Sequence, residues 1–356
     1  MLEDGRRGWA VGDEGAVIAT VDGGRTWAAQ PSGTTQWLSS VDVTADGRRG
    51  WAVGRNGTVI ATIDSGVRWV AQSSGTTQDL SFVQFALDGV HGWAAGGKDV
   101  IATVDGGKTW VIQPTGATHG INSVQFAADG QRGWAVGDGG IVIATADGGK
   151  TWVTQRRGRD QQVVRPAVDP RQSELVGLAA MSVIPLGGDK ILPLDTLYSV
   201  QFAADGQHGW AAGGSGVIAT IDGGKTWFTQ GNGALEELSS VRFATDGRRG
   251  WAVGRRGTVI ATVDSGGTWV AQPSHTLEWL RSVQFLSDGV RGWAVGGGGT
   301  VITTVDGGRT WVDAWLPYRR LPALWFWVVA LASCVVFARS IGGLRCAEPS
   351  LRGGSG

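Results

Sequence analysis

The sequence predicts an all-β fold, a seven-bladed β-propeller, followed by one C-terminal transmembrane helix. Three observations predict it: 60 glycines among 356 residues, 19 tryptophans beside two tyrosines, and a unit of roughly 42 residues that recurs seven times. Four short strands per unit of 40 to 50 residues, with turns between them, are typical of propellers. We therefore expect one repeat domain over residues 1–312 rather than the two or three domains that the length alone suggests.

Two series of tryptophans mark the repeat. The first lies in "GWAVG"-like strands: Trp9, Trp51, Trp93, Trp134, Trp210, Trp251 and Trp293. The second ends "TVDGGRTW"-like turns: Trp27, Trp69, Trp110, Trp152, Trp227, Trp269 and Trp311. The turn aspartates Asp22, Asp64, Asp105, Asp147, Asp222, Asp264 and Asp306 follow at steps of 41 or 42 residues, with one step of 75. Large aromatic groups copied at fixed positions indicate packing between neighbouring blades.

Each unit contains four predicted strands, which read "SVQF", "RGWAVG", "TVIATVD" and "KTWVIQ" in chain order. No helical period occurs before residue 312. Only six copies of the first strand are present, because Met1 aligns with the Phe that ends this strand and no "SVxF" follows Trp311. We therefore expect a first blade without its innermost strand, lying beside the blade that ends at Trp311. The missing strand and the linker-like ending "LRGGSG" suggest a longer natural protein.

The turn motif "T-x-D-G-G-[KR]-T-W", known as the Asp-box, predicts a structural role for the seven aspartates and seven tryptophans of the turns. Asp at a turn start accepts hydrogen bonds from the backbone amides that follow it, and glycine permits the positive φ that tight hairpins need. Calcium is the alternative ligand for such a loop. Ca²⁺ takes six to eight oxygens, usually from several carboxylates, whereas each turn offers one Asp. We therefore expect no metal and no cofactor.

Sialidases carry the same box, so an enzyme has to be considered. Sialidase chemistry uses three arginines, a Tyr nucleophile with a Glu partner, and an acidic Asp. Tyr198 is the one tyrosine in the repeats, and Glu236 and Glu237 follow in the next unit. No arginine trio departs from the repeat pattern, and the innermost strands repeat almost unchanged. The sequence therefore predicts no catalytic residues and no enzyme.

The units resemble the photosystem II assembly and stability factor family, a family of seven-bladed Asp-box propellers. The resemblance covers roughly residues 1–312 and rests on "GWAVG", "G-T-V-I-A-T-x-D-G-G-x-T-W" and "L-x-S-V-x-F" in the same order and spacing. It implies a protein-binding scaffold that holds membrane-protein intermediates during assembly, and hence a link to photosynthesis. The insertion and the C-terminal apolar run depart from the family pattern and indicate a bacterial, membrane-anchored variant.

Charge and composition limit the kinds of partner that the sequence predicts. The 31 basic and 31 acidic side chains balance, so nothing predicts a nucleic-acid partner. Both cysteines lie beyond the repeats, so no disulfide framework or cysteine metal site is available there. The residue before each "GW" is basic: Arg7, Arg49, His91, Arg132, His208, Arg249 and Arg291. This basic ring is either a docking surface for an acidic partner or anionic headgroups, or a structural balance for turn aspartates on the same face.

Residues 156–197 replace a connection of about ten residues and are the one break in the sevenfold pattern. Long loops in compact folds are usually functional or disordered. We therefore expect either a partner-specific contact or a solvated insertion.

A run of 18 uncharged residues, 321–338, follows a juxtamembrane linker at 313–320 and precedes a short tail at 339–356. Its length meets the requirement of about 17–25 residues for a membrane span. Aromatic residues cluster at its start, as in an interfacial belt, and arginines flank both ends, so the side of the membrane that the propeller occupies stays open. The sequence predicts a single-pass membrane protein, with a buried closing helix as the alternative.

The function expected from the sequence is a membrane-tethered, non-enzymatic scaffold that binds a protein, with a small-molecule ligand disfavoured. The alternative is a sialidase-like carbohydrate-binding or glycoside-hydrolase propeller. Trp37 and Trp279 belong to neither repeat series and could stack on sugars.

Overall fold

A computed structural model describes residues 1–157, 196–230 and 236–314. Within them the chain forms seven sheets in which consecutive strands pair antiparallel, and one of these sheets has an additional parallel strand at its edge. The first strands of neighbouring sheets contact one another, so these strands line a central axis. The seven sheets are the blades of a β-propeller, as the repeat predicts.

The strands follow the four-part pattern of the repeat. Blades 1 and 2 contain β1 (Gly8–Val11), β2 (Val17–Thr20), β3 (Ala28–Gln30), β4 (Leu38–Val43), β5 (Gly50–Gly54), β6 (Val59–Thr62) and β7 (Val70–Gln72). Blades 3 and 4 contain β8 (Phe82–Phe85), β9 (Gly92–Gly96), β10 (Asp99–Thr103), β11 (Val111–Gln113), β12 (Ile121–Phe126), β13 (Gly133–Gly137), β14 (Val142–Thr145) and β15 (Val153–Thr154).

The remaining blades repeat this order after the insertion. They contain β16 (Arg156–Arg157), β17 (Leu197–Phe202), β18 (Gly209–Gly213), β19 (Gly216–Thr220), β20 (Thr226–Thr229), β21 (Leu238–Phe243), β22 (Gly250–Gly254), β23 (Val259–Thr262), β24 (Val270–Ala271), β25 (Leu280–Phe285), β26 (Gly292–Gly296), β27 (Val301–Thr304) and β28 (Val312–Asp313). The predicted insertion thus begins with a short strand, because β16 pairs in parallel with β20 at the outer edge of blade 5.

Aromatic rings fill the gaps between blades. Trp51 of blade 2 stacks on Phe85 of blade 3 with ring centroids 3.5 Å apart, and Trp110 meets the same Phe edge-on at 5.8 Å. The Trp51 indole also donates to the carbonyl of Gly106 at 2.9 Å. Equivalent stacked pairs join Trp93 to Phe126, Trp134 to Phe202, Trp210 to Phe243 and Trp251 to Phe285. The Trp134, Trp210 and Trp251 indoles likewise donate to a backbone carbonyl of the next blade, so these interfaces combine aromatic packing with a polar anchor.

Blade 1 has three strands, in the order β1-β2-β3, as predicted. Met1 takes the place of the Phe that ends the first strand in most other blades. Its Sδ lies 2.0 Å from where a Cβ on Gly8 would stand. Blade 7 packs beside blade 1, because the Trp293 indole donates to the Gly23 carbonyl at 2.9 Å and the Ser287 hydroxyl to Glu3 at 2.8 Å.

Two of the sequence predictions fall outside the described residues. The predicted membrane span at 321–338 lies wholly beyond residue 314, and most of the insertion lies between residues 157 and 196. Among the helices of the described ranges, none has the length and apolar character that crossing a bilayer requires.

Candidate functional site

The two ends of the propeller axis differ. One end, the Asp-box face, carries the Asp-box turns and the Asp-Gly turns between first and second strands. The two kinds of turn are hydrogen-bonded to each other: the Gly23 amide donates to the Arg6 carbonyl at 2.8 Å, and the Gly106 amide donates to the Val90 carbonyl at 2.9 Å. The innermost strands run toward this face, since each ends shortly before an Asp-Gly turn. The other end, the axial mouth, is built from the starts of these strands and the turns between second and third strands.

The Asp-box residues form closed hydrogen-bond rings within their turns. Asp105 accepts bonds from the Thr109 hydroxyl at 2.6 Å, the Thr109 amide at 2.9 Å and the Thr103 hydroxyl at 2.8 Å. Thr103 in turn accepts from the Gly107 amide at 2.9 Å. The Thr109 hydroxyl, then its amide, lower the pKa of Asp105 to about 2. The carboxylate is thus occupied within its own turn, an arrangement that holds the hairpin together.

The basic ring also lies on the Asp-box face. Six of its members pair with the aspartate of their own Asp-Gly turn at 2.6 to 3.1 Å: Arg7, His91, Arg132, His208, Arg249 and Arg291. The seventh, Arg49, donates to the carbonyls of Asp88 and Gly89 in the next blade. Arg7 and Arg249 likewise reach a carbonyl of the following blade. These contacts tie blade to blade, and recognition of a partner by the ring stays a prediction.

A cavity of about 320 Å³ opens at the axial mouth. Serines from the innermost strands surround it, and the larger side chains around it differ from blade to blade. These larger side chains are Trp37, Arg55, Asp79, Phe82, Asn122, Tyr198, Arg242, Trp279 and Arg281. The cavity therefore has little of the sevenfold symmetry of the blades around it.

Arginine and tryptophan dominate one side of this mouth. The guanidinium carbons of Arg281 and Arg255 lie 3.3 and 4.3 Å from the ring centroid of Trp279. Arg255 also pairs with Glu237 at 3.0 Å. Cation–π contacts fix both the charges and the ring. Because two guanidiniums cover Trp279, its faces are less open for sugar stacking than the sequence suggested.

A second pair of this type lies in blade 2. The Arg55 guanidinium carbon is 4.6 Å from the centroid of Trp37. Asp79 lies close by and accepts the backbone amide of Asn56 at 2.9 Å. The mouth thus presents two Arg–Trp units with a carboxylate near each, since Glu237 accompanies the first.

Burial shifts the pKa values of several groups at the mouth. Burial, and then the nearby Arg255, lower the pKa of Arg281 to about 10. Burial also lowers the pKa of Arg242 to about 10, although Asp42 opposes that shift. Burial, followed by hydrogen bonding to Glu237, raises the pKa of Tyr198 to about 12. Tyr198 is therefore a neutral phenol at physiological pH and is poorly suited to act as a nucleophile.

Deeper in the channel, glutamines connect neighbouring blades. Gln84 accepts the Phe126 amide at 2.9 Å and donates to the Phe126 carbonyl at 3.3 Å. Gln125 makes the same pair of bonds to Phe202, and Gln201 makes it to Phe243. We name this pair of bonds the glutamine clip. Asp42 and Arg242 replace glutamine at this position in blades 2 and 6.

Four residues of this site stand out in the sequence. They are Trp37, Trp279, Tyr198 and Glu237, and the fold brings all four to the axial mouth. The arginines of the mouth are not recognised in this way, because the innermost strands look nearly invariant. A comparison of equivalent strand positions would have found them. Arg281, for example, stands where the other blades carry Ser, Asn or Tyr. In the portion of the chain that the structure describes, no group of three or more metal-ligating side chains occurs.

Comparison with known proteins gives a consistent family. The sequence model of the family described as "Photosynthesis system II assembly factor YCF48" matches residues 68–176 and 189–277. No curated protein matches the chain. The fold is similar to a structure described as "YCF48 bound to D1 peptide", with a TM-score of 0.62 and 18% identity over 85% of this chain and 91% of that one. It is also similar to YCF48 from Cyanidioschyzon merolae, with a TM-score of 0.55 and 20% identity over 78% and 85% of the two chains.

Proposed function

This chain belongs to the photosynthesis system II assembly factor YCF48 family, and from that premise we propose that it is a non-enzymatic scaffold that binds an extended segment of another protein at the axial mouth. The observation that carries the proposal is the concentration of blade-specific side chains there. Elsewhere in the ring the repeat keeps its residues nearly constant, whereas Arg281, Tyr198 and Trp279 meet at one cavity.

The chemistry of the mouth suits a peptide with a carboxylate. Arg255 and Arg281 share one indole, and Glu237 is the carboxylate paired with Arg255. A further acidic group from a ligand would relieve the repulsion between the two guanidiniums and gain charge-assisted hydrogen bonds. The serines around the cavity offer donors and acceptors for an extended backbone. A cavity of about 320 Å³ accommodates a few residues of such a segment rather than a folded domain.

The comparisons support this proposal. A structure that shares the fold contains a D1 peptide, and the family is described by a role in photosystem II assembly. For this chain we propose a membrane protein or membrane complex as the partner, with photosystem II components as the first to test. Attachment to a membrane through the uncharged run 321–338 belongs to the same proposal and is supported by its composition.

The insertion is a second proposed contact. Most of residues 156–197 have no counterpart in other units, since the segment replaces a connection of about ten residues and ends at Leu197, the first residue of β17. Its first strand, β16, follows the outer edge of blade 5, far from the axis. Replacing residues 158–195 by a short glycine-serine linker should leave thermal unfolding of the blades unchanged and weaken capture of the partner. Unchanged capture would assign the insertion no role in recognition.

Binding at the mouth can be tested by capture from native membranes. The tagged full chain is incubated with detergent-solubilised membranes, and captured proteins are quantified by mass spectrometry and mapped with overlapping synthetic peptides. We expect Arg281→Gln and Trp37→Ala to weaken peptide binding at least tenfold, with the matched surface variant Arg309→Gln unaffected. Equal binding by all these variants would place the site elsewhere.

A glycan array on the same proteins tests the carbohydrate alternative. A sugar bound by the wild type and lost on Trp37→Ala would replace the peptide-binding proposal, since an indole is the group that stacks on sugar rings.

A further inference from the structure

Five turns in the described part of the chain, each between the second and third strands of a blade, share one unusual backbone conformation. Each reads Gly-x-y-Gly, and residue y is left-handed, with φ between 52° and 61°. In blades 4 and 7 this residue is Gly139 or Gly298, the residue type that the conformation favours. In blades 1, 2 and 6 it is Glu14, Asn56 or Arg256. A side chain at positive φ is uncommon and costs stability, least for asparagine.

A fourth residue of this kind lies beside one of these turns. His275, in the connection from blade 6 to blade 7, has a φ of 58°. Three other connections have a glycine at this position, also at positive φ: Gly33, Gly75 and Gly116. The His275 loop packs on the Arg256 turn, because the Gly257 amide donates to the Glu278 carbonyl at 2.8 Å. The rim residues, all at the end of the propeller that carries the axial mouth, are Glu14, Asn56, Arg256 and His275.

The turns form without these side chains, since blades 4 and 7 close the same turn with glycine. All four rim residues are exposed. Within the described residues, Glu14 and His275 make no side-chain hydrogen bond or ion pair. The Arg256 guanidinium lies 3.6 Å from the Glu236 carboxylate with 76% of its side chain exposed, and surface pairs of this kind add little stability. Backbone strain that local contacts do not explain indicates a role in function.

Two rim residues directly follow the arginines of the mouth. The residues before Asn56 and Arg256 are the arginines whose guanidiniums cover Trp37 and Trp279. Asn56 also donates to the Gln36 side chain at 2.8 Å in an exposed hydrogen bond. The rim residues therefore extend the blade-specific surface of the mouth outward.

Glu14 gives one side of the rim an acidic character. The blade 1 turn contains Asp13 and Glu14 and no basic residue. Burial and Arg255 lower the pKa of Arg281, and Asp13 is among the groups that oppose this shift, which places the blade 1 turn near Arg281. A Lys or Arg of a bound segment can therefore pair with Glu14 while a neighbouring acidic group of the same segment meets Arg281.

We propose that the rim residues contact the bound segment and set its specificity, and that Glu14 selects a segment in which a Lys or Arg lies close in sequence to an acidic residue. This inference rests on the proposed binding of an extended segment at the axial mouth. The acidic residue is held at Arg281, and the basic residue pairs with Glu14. The two charges together fix the register of the segment, because a shifted segment would bring like charges together.

Selection from a random hexapeptide library displayed on phage tests the charge preference. The immobilised full chain in detergent should enrich peptides in which a basic and an acidic residue lie close together. Glu14→Arg should replace the basic preference by an acidic one. The control Lys108→Glu, on the Asp-box face, should leave the wild-type preference unchanged. Unchanged enrichment of basic residues by Glu14→Arg would overturn the inference.

Arg281→Gln separates this inference from the proposed function. If Arg281→Gln loses the peptides that the wild type selects and Glu14→Arg keeps them all, the mouth binds a segment and the rim has no part in recognising it. If the wild type enriches no peptide, or if Arg281→Gln keeps them all, binding at the mouth is wrong and the inference fails with it.

Glycine substitutions provide a second measurement, in which a structural role and a recognition role have opposite signs. Glu14→Gly and Arg256→Gly should each raise the melting temperature by about a degree or two, because relief of the left-handed strain exceeds the entropy that glycine adds to the unfolded chain. Each should also weaken binding of the selected peptides by about fivefold, as loss of one exposed ion pair predicts.

Ser265→Gly is the matched control for these two variants. Ser265 has a φ of 62° in an Asp-box turn, at the opposite end of the propeller. Its replacement should raise the melting temperature to a similar degree and leave peptide binding unchanged. Lower melting temperatures for Glu14→Gly and Arg256→Gly would assign their side chains to turn stability and refute a role in recognition, and unchanged peptide binding would refute it as well.

Discussion

At the scale of single residues, one phenylalanine explains two biases of the composition. Phe85 lies between Trp51 and Trp110, and a Cβ added to Gly92 would stand 2.5 Å from its ring. Each interface of this kind therefore requires two tryptophans and a glycine. The excess of both residue types follows from repeating one constellation around the ring.

Removal of an Asp-box carboxylate should weaken its own turn. Asp105→Ala deletes three accepted hydrogen bonds and should lower the melting temperature by a few degrees, measured by differential scanning calorimetry. Lys108→Ala, in the same turn, serves as the control and should have little effect. Partner binding should fall only in proportion to unfolding, so a folded Asp105→Ala protein without binding would contradict a structural role.

The same carboxylates predict acid sensitivity. The Thr hydroxyls of their turns lower the pKa of Asp105, Asp147 and Asp306 to about 2, from an ordinary value of 3.8. A carboxyl whose pKa is lower in the folded state stabilises the fold above its unfolded pKa, and this stabilisation is lost as pH falls through the folded value. Urea unfolding should therefore show a steep loss of stability between about pH 4 and pH 2. Stability that stays constant over this range would exclude the linkage.

At the scale of elements, the innermost strands carry both the packing and the function. Their buried positions face neighbouring blades, and their polar positions either clip blades together or line the axial mouth. Gln125 belongs to the first group, and Arg281, at the start of β25, to the second. In β12 the second and fifth residues, Asn122 and Gln125, are half-buried, and the other four residues are buried.

The clip can be tested by an isosteric change. Gln125→Met removes two hydrogen bonds to Phe202 and should reduce the free energy of unfolding by about 1–3 kcal/mol, measured by urea titration. Gln272→Met is the matched control, because the Gln272 side-chain amide donates locally, to the Val270 carbonyl two residues earlier. Equal losses for the two variants would show that the clip contributes no specific stability.

At the scale of the whole molecule, the ring depends on the interface between blades 7 and 1. Trp293, Leu286 and Val295 of blade 7 pack in one apolar cluster with Met1, Leu2 and Trp27 of blade 1. The closing contacts therefore lie in the middle of the blades and at the Asp-box face. The axis side of blade 1 is where a strand can still be added.

Adding that strand is the prediction at this scale. The sequence "LNSVQFAA" placed before Asp4 should raise the melting temperature of the region 1–312, because it pairs with the inner edge of β1. Unchanged stability of region 1–312, with the added segment sensitive to protease, would show that the ring closes in another way.

The sequence by itself determined the repeat, the strand order within each blade, the number of blades and the three-stranded first blade. These features depend on the local pattern of apolar, glycine and turn residues, and this pattern recurs in every unit. Even so, the sequence did not reveal the site at the axial mouth. The residues of this site occur at the regular positions of the repeat, but their residue types differ from those in the other units. Such a difference can be seen only when equivalent positions of the units are compared.

Only the tertiary structure decided which of those departures meet. Asp42 and Arg242 are 200 positions apart and act on each other at the axis, while Trp279 lies between Arg255 of one blade and Arg281 of the next. Closure of the ring brings these residues together, and no local pattern encodes that distance. The basic ring shows the same limit from the other side, because its sequence pattern left partner docking and charge balance both open, and the geometry shows ion pairs with the turn aspartates.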